Sequence, residues 1–123
     1  MNILHSGQKV AILGVGSLLP LAEEVQQQLD VDATVIDPRD VSELDAKTLT
    51  DLEKNHQLVV TLEEASLSGG FGEKVSRFYG NTQMRTLNFG AAKRFNDRET
   101  TDELWHEFKL TPEQIVTEIN NNL

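Results

Sequence analysis

The chain has 123 residues, no cysteine and a formal net charge of −9. That length holds one domain that buries roughly two-thirds of its unfolded surface, with no room for a second core. The missing cysteines exclude a disulfide framework, thiolate catalysis and a Cys-based zinc site and fit a cytoplasmic setting, while the negative balance without a basic stripe argues against nucleic acid.

In chain order, Asn2–Ile3–Leu4–His5 is apolar enough for a short edge strand, with Ser6–Gly7 as a hairpin turn after it. Lys9 to Gly14 (KVAILG) is a nearly continuous apolar run, the pattern of a strand covered on both faces. Gly14–Val15–Gly16–Ser17 turns the chain, and Pro20 stands where a first helical turn tolerates proline, ahead of Leu21, Ala22, Val25 and Leu29 at helical spacing. Ala33 to Asp37 is a second buried strand, closed by Asp37–Pro38 because the residue before proline is pushed out of the helical region.

Asp45 is placed to cap a short helix carrying Leu49 and Leu52, and Leu58 to Leu62 is the third buried strand. A helix from about Phe71 to Tyr79 ends at Gly80, and Met84 to Phe89 is the fourth strand. A polar stretch follows, with a helix expected at about 101–108, where Trp105 and Phe108 read as core contacts. Thr111–Pro112–Glu113–Gln114 combines a cap, a proline at the first position and an acid in the first turn, so a last helix carries Ile115, Val116 and Ile119. Strands alternating with helices predict parallel pairing and a three-layer α/β/α sandwich. No apolar run approaches the ~20 residues of a bilayer span, and the acids, scattered along the chain, describe a solvated surface.

The most informative stretch is Leu58–Glu64 followed by the loop to Gly72. An apolar run ends in Glu63–Glu64, passes through small residues and Gly69–Gly70–Phe71–Gly72, and enters a helix. Corners of this kind at the carboxyl edge of a parallel sheet are where α/β domains put their working surfaces. Adjacent residues on a strand face opposite ways, so Glu63 and Glu64 do not converge on one substrate; one of them is placed to cap the following helix or to engage a partner domain. The glycine loop offers amide donors for an anion but lacks the Lys–Ser/Thr of a P-loop. Phe71 among glycines, if exposed, is an interface anchor.

The remaining signals are weaker. Gly14–Val15–Gly16 after a strand, with Asp37 ending the next, is a partial dinucleotide fingerprint: Leu19 stands where its third glycine belongs, and Pro20 removes a donor beside it. The simpler reading is a tight strand-to-helix turn. His5, His56 and His106 make no paired metal motif and read as surface or edge residues, and no serine lies in a nucleophile elbow. Taken on its own residues, the chain carries no complete active site.

Several segments fall in a familiar order: Lys9–Pro20, Ala33–Arg39, Leu44–Asp45, Val59–Glu64, Gly69–Gly72, Leu87–Gly90, Glu103–Leu104 and Leu110–Thr111. This series resembles the C-terminal domain of the thiamine-diphosphate enzymes of the transketolase family, most closely its 1-deoxy-D-xylulose-5-phosphate synthase branch. The resemblance implies a mostly parallel five-stranded sheet with one antiparallel edge strand, in a single domain over residues 1–123. Residues 1–7 then correspond to the segment entering from a middle domain, or to the edge strand.

It further implies a non-catalytic assembly role. The partners would be the N-terminal thiamine-binding and middle domains of the same enzyme and a second copy in a homodimer, with neither nucleic acid nor membrane involved. Thiamine diphosphate and magnesium would sit in those other domains, none of it bound here. The parent enzyme would decarboxylate pyruvate and pass the two-carbon unit to glyceraldehyde 3-phosphate, toward isoprenoid precursors. Gly14, Gly16, Ser17, Glu63, Glu64, Gly69, Gly70, Phe71 and Gly72 are then loop or interface residues rather than catalytic ones. Where the family carries Pro-Asp after the last strand, this chain has Ala91–Ala92–Lys93, and Asn96–Glu99 is unusually charged. The alternatives are the same domain of another transketolase-like enzyme, or a stand-alone small-molecule or nucleotide-binding module using the crevice between the Gly14–Ser17 and Glu63–Gly72 loops.

Overall fold

The computed structural model describes residues 1–64, 70–90 and 111–123. Five strands form one sheet: β1 (Asn2–His5), β2 (Lys9–Gly14), β3 (Thr34–Asp37), β4 (His56–Glu63) and β5 (Arg85–Gly90). Their spatial order is β1-β3-β2-β4-β5, parallel throughout except for β1 against β3. Among the described residues four α-helices accompany them: α1 (Leu19–Gln28), α2 (Ala46–Leu52), α3 (Phe71–Phe78) and α4 (Pro112–Asn121). The helix expected at 101–108, together with Trp105, His106 and Phe108, lies outside the described residues, as do Gly69 and the segments Ala91–Lys93 and Asn96–Glu99.

Strand periodicity divides the core into two apolar layers. Val10, Ile12, Val35, Leu58, Val60 and Leu62 pack with Leu18, Ala22 and Val25 and with Ile115 and Ile119 of α4. The alternate residues Ala11, Leu13, Ile36 and Val59 pack with Leu49 and Leu52 of α2 and with Phe71, Val75 and Tyr79 at α3. Successive strand side chains point to opposite faces, so a continuous apolar run is what a strand needs when helices cover both. The three-layer sandwich with an antiparallel edge strand is therefore the observed fold.

Helix starts follow their local chemistry. Pro20 stands in the first turn of α1. The Asp45 side chain accepts from the Thr48 amide and hydroxyl at 3.1 and 2.8 Å, and those bonds hold its carboxyl below the usual range. Thr111 caps α4, accepting from the Gln114 amide, with Pro112 at the first position.

One local expectation fails. Ser6–Gly7 makes no hairpin, because β1 pairs with β3 rather than with β2. The connection instead runs across the amino end of β3, where the Gln8 amide donates to the Asp32 carbonyl at 2.8 Å. A Cβ at Gly7 would stand 1.8 Å from that carbonyl oxygen, so only glycine passes at this point. At the outer edge Ile3 and Leu4 remain 48% and 46% exposed.

Candidate functional site

The sheet order reverses between β2 and β4: β3 lies outside the former and β5 outside the latter. The loops after β2 and β4 diverge there, at the carboxyl edge, and a crevice opens at such a switch point. A cleft of about 420 Å³ occupies it, lined by Val15, Gly16, Ser17, Val41, Glu63, Glu64, Gly70, Phe71 and Lys74. Six of the nine residues singled out in the sequence (Gly16, Ser17, Glu63, Glu64, Gly70 and Phe71) line this cleft, Gly14 and Gly72 adjoin lining residues in the chain, and Gly69 is outside the described residues. Gly14 ends β2 and Gly16 opens the following turn with φ +57, the left-handed region that favours glycine.

Glu63 is the central group. It is 3% exposed, and its carboxylate accepts from the Phe71 amide at 3.0 Å and the Gly72 amide at 2.6 Å. These are orphan donors at the start of α3, and a negative charge there is favoured by the helix dipole as well as by the hydrogen bonds. Glu64, the next residue, lies just past the end of β4 and is exposed. Glu63 at the end of β4 thus fills, from within the chain, the place an incoming anion would take.

Gly72 permits that approach. A Cβ on it would lie 2.5 Å from the Thr61 hydroxyl oxygen and 2.8 Å from the Asn88 carboxamide. Beneath it runs a polar ladder: Thr61 donates to Asn88 at 2.7 Å, the Asn88 amide donates to Ser76 at 2.7 Å, and Ser76 and Thr86 share a bond of 2.8 Å. The ladder ties α3 to β4 and β5. Sequence reading missed it, although Thr61, a polar residue inside an otherwise apolar run, was the available signal.

Phe71 departs from its expected role as an exposed anchor. Its ring is 4% exposed and packs in the core layer with Leu13 and Val75. Glu63 holds the Phe71 amide, and the first turn of α3 drops its side chain onto the sheet. Tyr79, just past the other end of α3, donates its hydroxyl to the Leu49 carbonyl at 2.5 Å, and burial pushes its phenol well above the ordinary value.

The amino end carries a second polar cluster, built around His56, which the sequence read as a surface or edge residue. His56 is half-buried. Its Nδ1 lies 3.0 Å from the Leu52 carbonyl and its Nε2 2.7 Å from the Thr34 hydroxyl, which also accepts from the Gly7 amide at 2.9 Å. Neighbouring side chains that bind a metal need three or more ligands together, and no such group of His, Cys, Asp or Glu occurs among the described residues.

Among the described residues of the carboxyl-edge corner, the Phe71 and Gly72 amides are not open to a diphosphate. Both carboxylate oxygens of Glu63 are engaged by amides of the chain, and these two amides at the start of α3 are donors of the kind that bind a phosphate elsewhere.

A family model described as the transketolase C-terminal domain matches residues 1–115. This chain belongs to the transketolase C-terminal domain family. It is 38% identical over 124 aligned residues to a 1-deoxy-D-xylulose-5-phosphate synthase of Mannheimia succiniciproducens and 36% identical to that of Pasteurella multocida. Each alignment takes in 99% of this chain but only 20% of the relative. Among solved structures, a split-gene transketolase described as an inactive β4 tetramer superposes with a TM-score of 0.86 at 24% identity. That match covers 98% of this chain and 41% of the other, and it establishes the shared fold. No helix among the described residues is long and apolar enough to cross a membrane.

Proposed function

We propose that this domain is the non-catalytic assembly unit of a thiamine-diphosphate-dependent 1-deoxy-D-xylulose-5-phosphate synthase working in the cytoplasm. The parent enzyme would join pyruvate, after decarboxylation, to glyceraldehyde 3-phosphate as a homodimer. Thiamine diphosphate and magnesium would be held by its N-terminal and middle domains. The observation that carries the reading is the Glu63 clamp: the best-placed donors at the switch point are satisfied by the chain itself. The likeness to synthases five times longer supports the same view, since the domain accounts for 20% of their length.

The test is reconstitution. The 123-residue chain alone, given pyruvate, glyceraldehyde 3-phosphate, thiamine diphosphate and magnesium, should form no product. Added to a synthase polypeptide that ends before its last domain, it should bind in sedimentation analysis and restore turnover. Product from the chain alone, or no association with the truncated synthase, contradicts the proposal.

A small-molecule module is the second reading, favoured by the 420 Å³ cleft at the switch point. It predicts stabilisation of the chain by a nucleotide or sugar phosphate in a thermal-shift screen, where the assembly reading predicts none.

A further inference from the structure

The amino end of the sheet holds a hydrogen-bond relay whose polarity is fixed by chemistry. The Leu52 carbonyl can only accept, so the His56 Nδ1 that faces it carries the proton. In the neutral ring Nε2 is then an acceptor, and the Thr34 hydroxyl donates to it. Thr34 is 2% exposed, and its oxygen in turn accepts from the Gly7 amide. The relay therefore runs from the β1–β2 connection through β3 to the start of β4 and the end of α2. Its place in the fold is tight: Gly7 touches the Asp32 carbonyl, and Lys9 beside it has φ 70 and donates its amide to the Asn55 carbonyl at 2.8 Å.

We propose that the Gly7–Thr34–His56 relay is a proton-sensitive latch that fixes where the β1–β2 connection leaves β3 and loosens when His56 is charged. A charged ring makes both nitrogens donors. Nε2–H then points at the Thr34 oxygen, and the hydroxyl proton, buried with it, loses its acceptor. Both lone pairs of the oxygen are then taken, by the Gly7 amide and by the ring, so the hydroxyl proton must reach a new acceptor, and the β1 end of the relay is the side that can open to solvent.

The ionisable groups around the relay are few. Glu53 shares a surface cleft with His56, and Lys9 is its partner across β2 and β4. Lys54 on the same turn pairs with Asp51 at 3.5 Å. On the β1 side exposed His5 faces Asp32 at 2.6 Å. Burial holds His56 below its ordinary value of about 6.5, so the latched state binds fewer protons than the open one. The latch contribution is complete above about pH 6.5 and is lost as pH falls through the lower value of the folded protein.

Amide hydrogen exchange on the 123-residue chain, corrected for intrinsic pH effects, tests this. From about pH 7.5 to about pH 5.5, protection at Gly7 should fall relative to β4, by up to roughly tenfold for each unit of pKa depression. His56→Gln should remove that slope, and His5→Gln should keep it. Ring nitrogen signals of the wild-type chain should show the Nδ1-protonated tautomer at neutral pH, a readout that does not require any variant to fold. A flat Gly7 profile, an unchanged slope in His56→Gln, or the Nε2-protonated tautomer overturns the proposal.

Discussion

The two ends of the sheet are closed by different chemistry. At the carboxyl end a carboxylate sits on two amides at a helix start, with Gly72 brought down onto Thr61 and Asn88. At the amino end an uncharged ring passes a hydrogen bond through a hydroxyl to one amide of the connection at Gly7. The first closure occupies amide donors that would otherwise be open to an anion; the second leaves a histidine that burial holds below its ordinary value.

The largest break should come at the amino end. Gly7→Ala sets a methyl group 1.8 Å from a backbone oxygen, and backbone cannot swing aside. A loss of about 3 kcal/mol or more in urea unfolding is expected. At the carboxyl end Glu63→Ala strands two buried donors and should cost about 2–3 kcal/mol. Glu63→Gln, which keeps an acceptor, should cost roughly half of that in the same measurement. Equal losses for the two variants would show that the shape and single acceptor kept by glutamine contribute nothing and that only the full carboxylate closes the corner.

Smaller changes sharpen the contrast. Gly72→Ala meets side-chain atoms of Thr61 and Asn88 rather than backbone, so a cost of about 1–2 kcal/mol is expected, below that of Gly7→Ala. Tyr79→Phe removes the bond to the Leu49 carbonyl and should cost about 1 kcal/mol near neutral pH. Because burial raises that phenol, its stabilisation is present below about pH 10 and lost as pH rises further, so the variant should unfold less steeply in alkali. Asp45→Ala should cost about 1 kcal/mol through the lost cap of α2. Asp45 is held low by Thr48, so its contribution is present above about pH 4 and lost as pH falls through its lower folded value.

Much of the fold was legible because it is local. The apolar runs at Lys9–Gly14 and in β4 could only be strands covered on both faces, and the Asp45 and Thr111 caps announced their helices. The resemblance supplied the antiparallel edge strand, for which Asn2–His5 alone was thin support. The site was legible in location but not in working. Strand alternation separated Glu63 from Glu64, yet neither it nor spacing fixes the depth at which α3 docks, which is what buries Phe71 and brings Glu63 onto its amide. His56 was read as a surface group because its partners, Thr34 and Leu52, belong to β3 and α2, and only the parallel register at the amino end brings them together. The Ser6–Gly7 hairpin failed for the same reason: sequence adjacency suggested β1 beside β2, and the sheet places β3 between them.

The central claim is that Glu63 already occupies the donors at the carboxyl-edge corner. Titrating the 123-residue chain with inorganic pyrophosphate, while following the amide signals of Phe71 and Gly72, tests it most directly. The account predicts that both signals stay in place up to millimolar ligand. A saturable shift of either amide in the wild-type chain would contradict it.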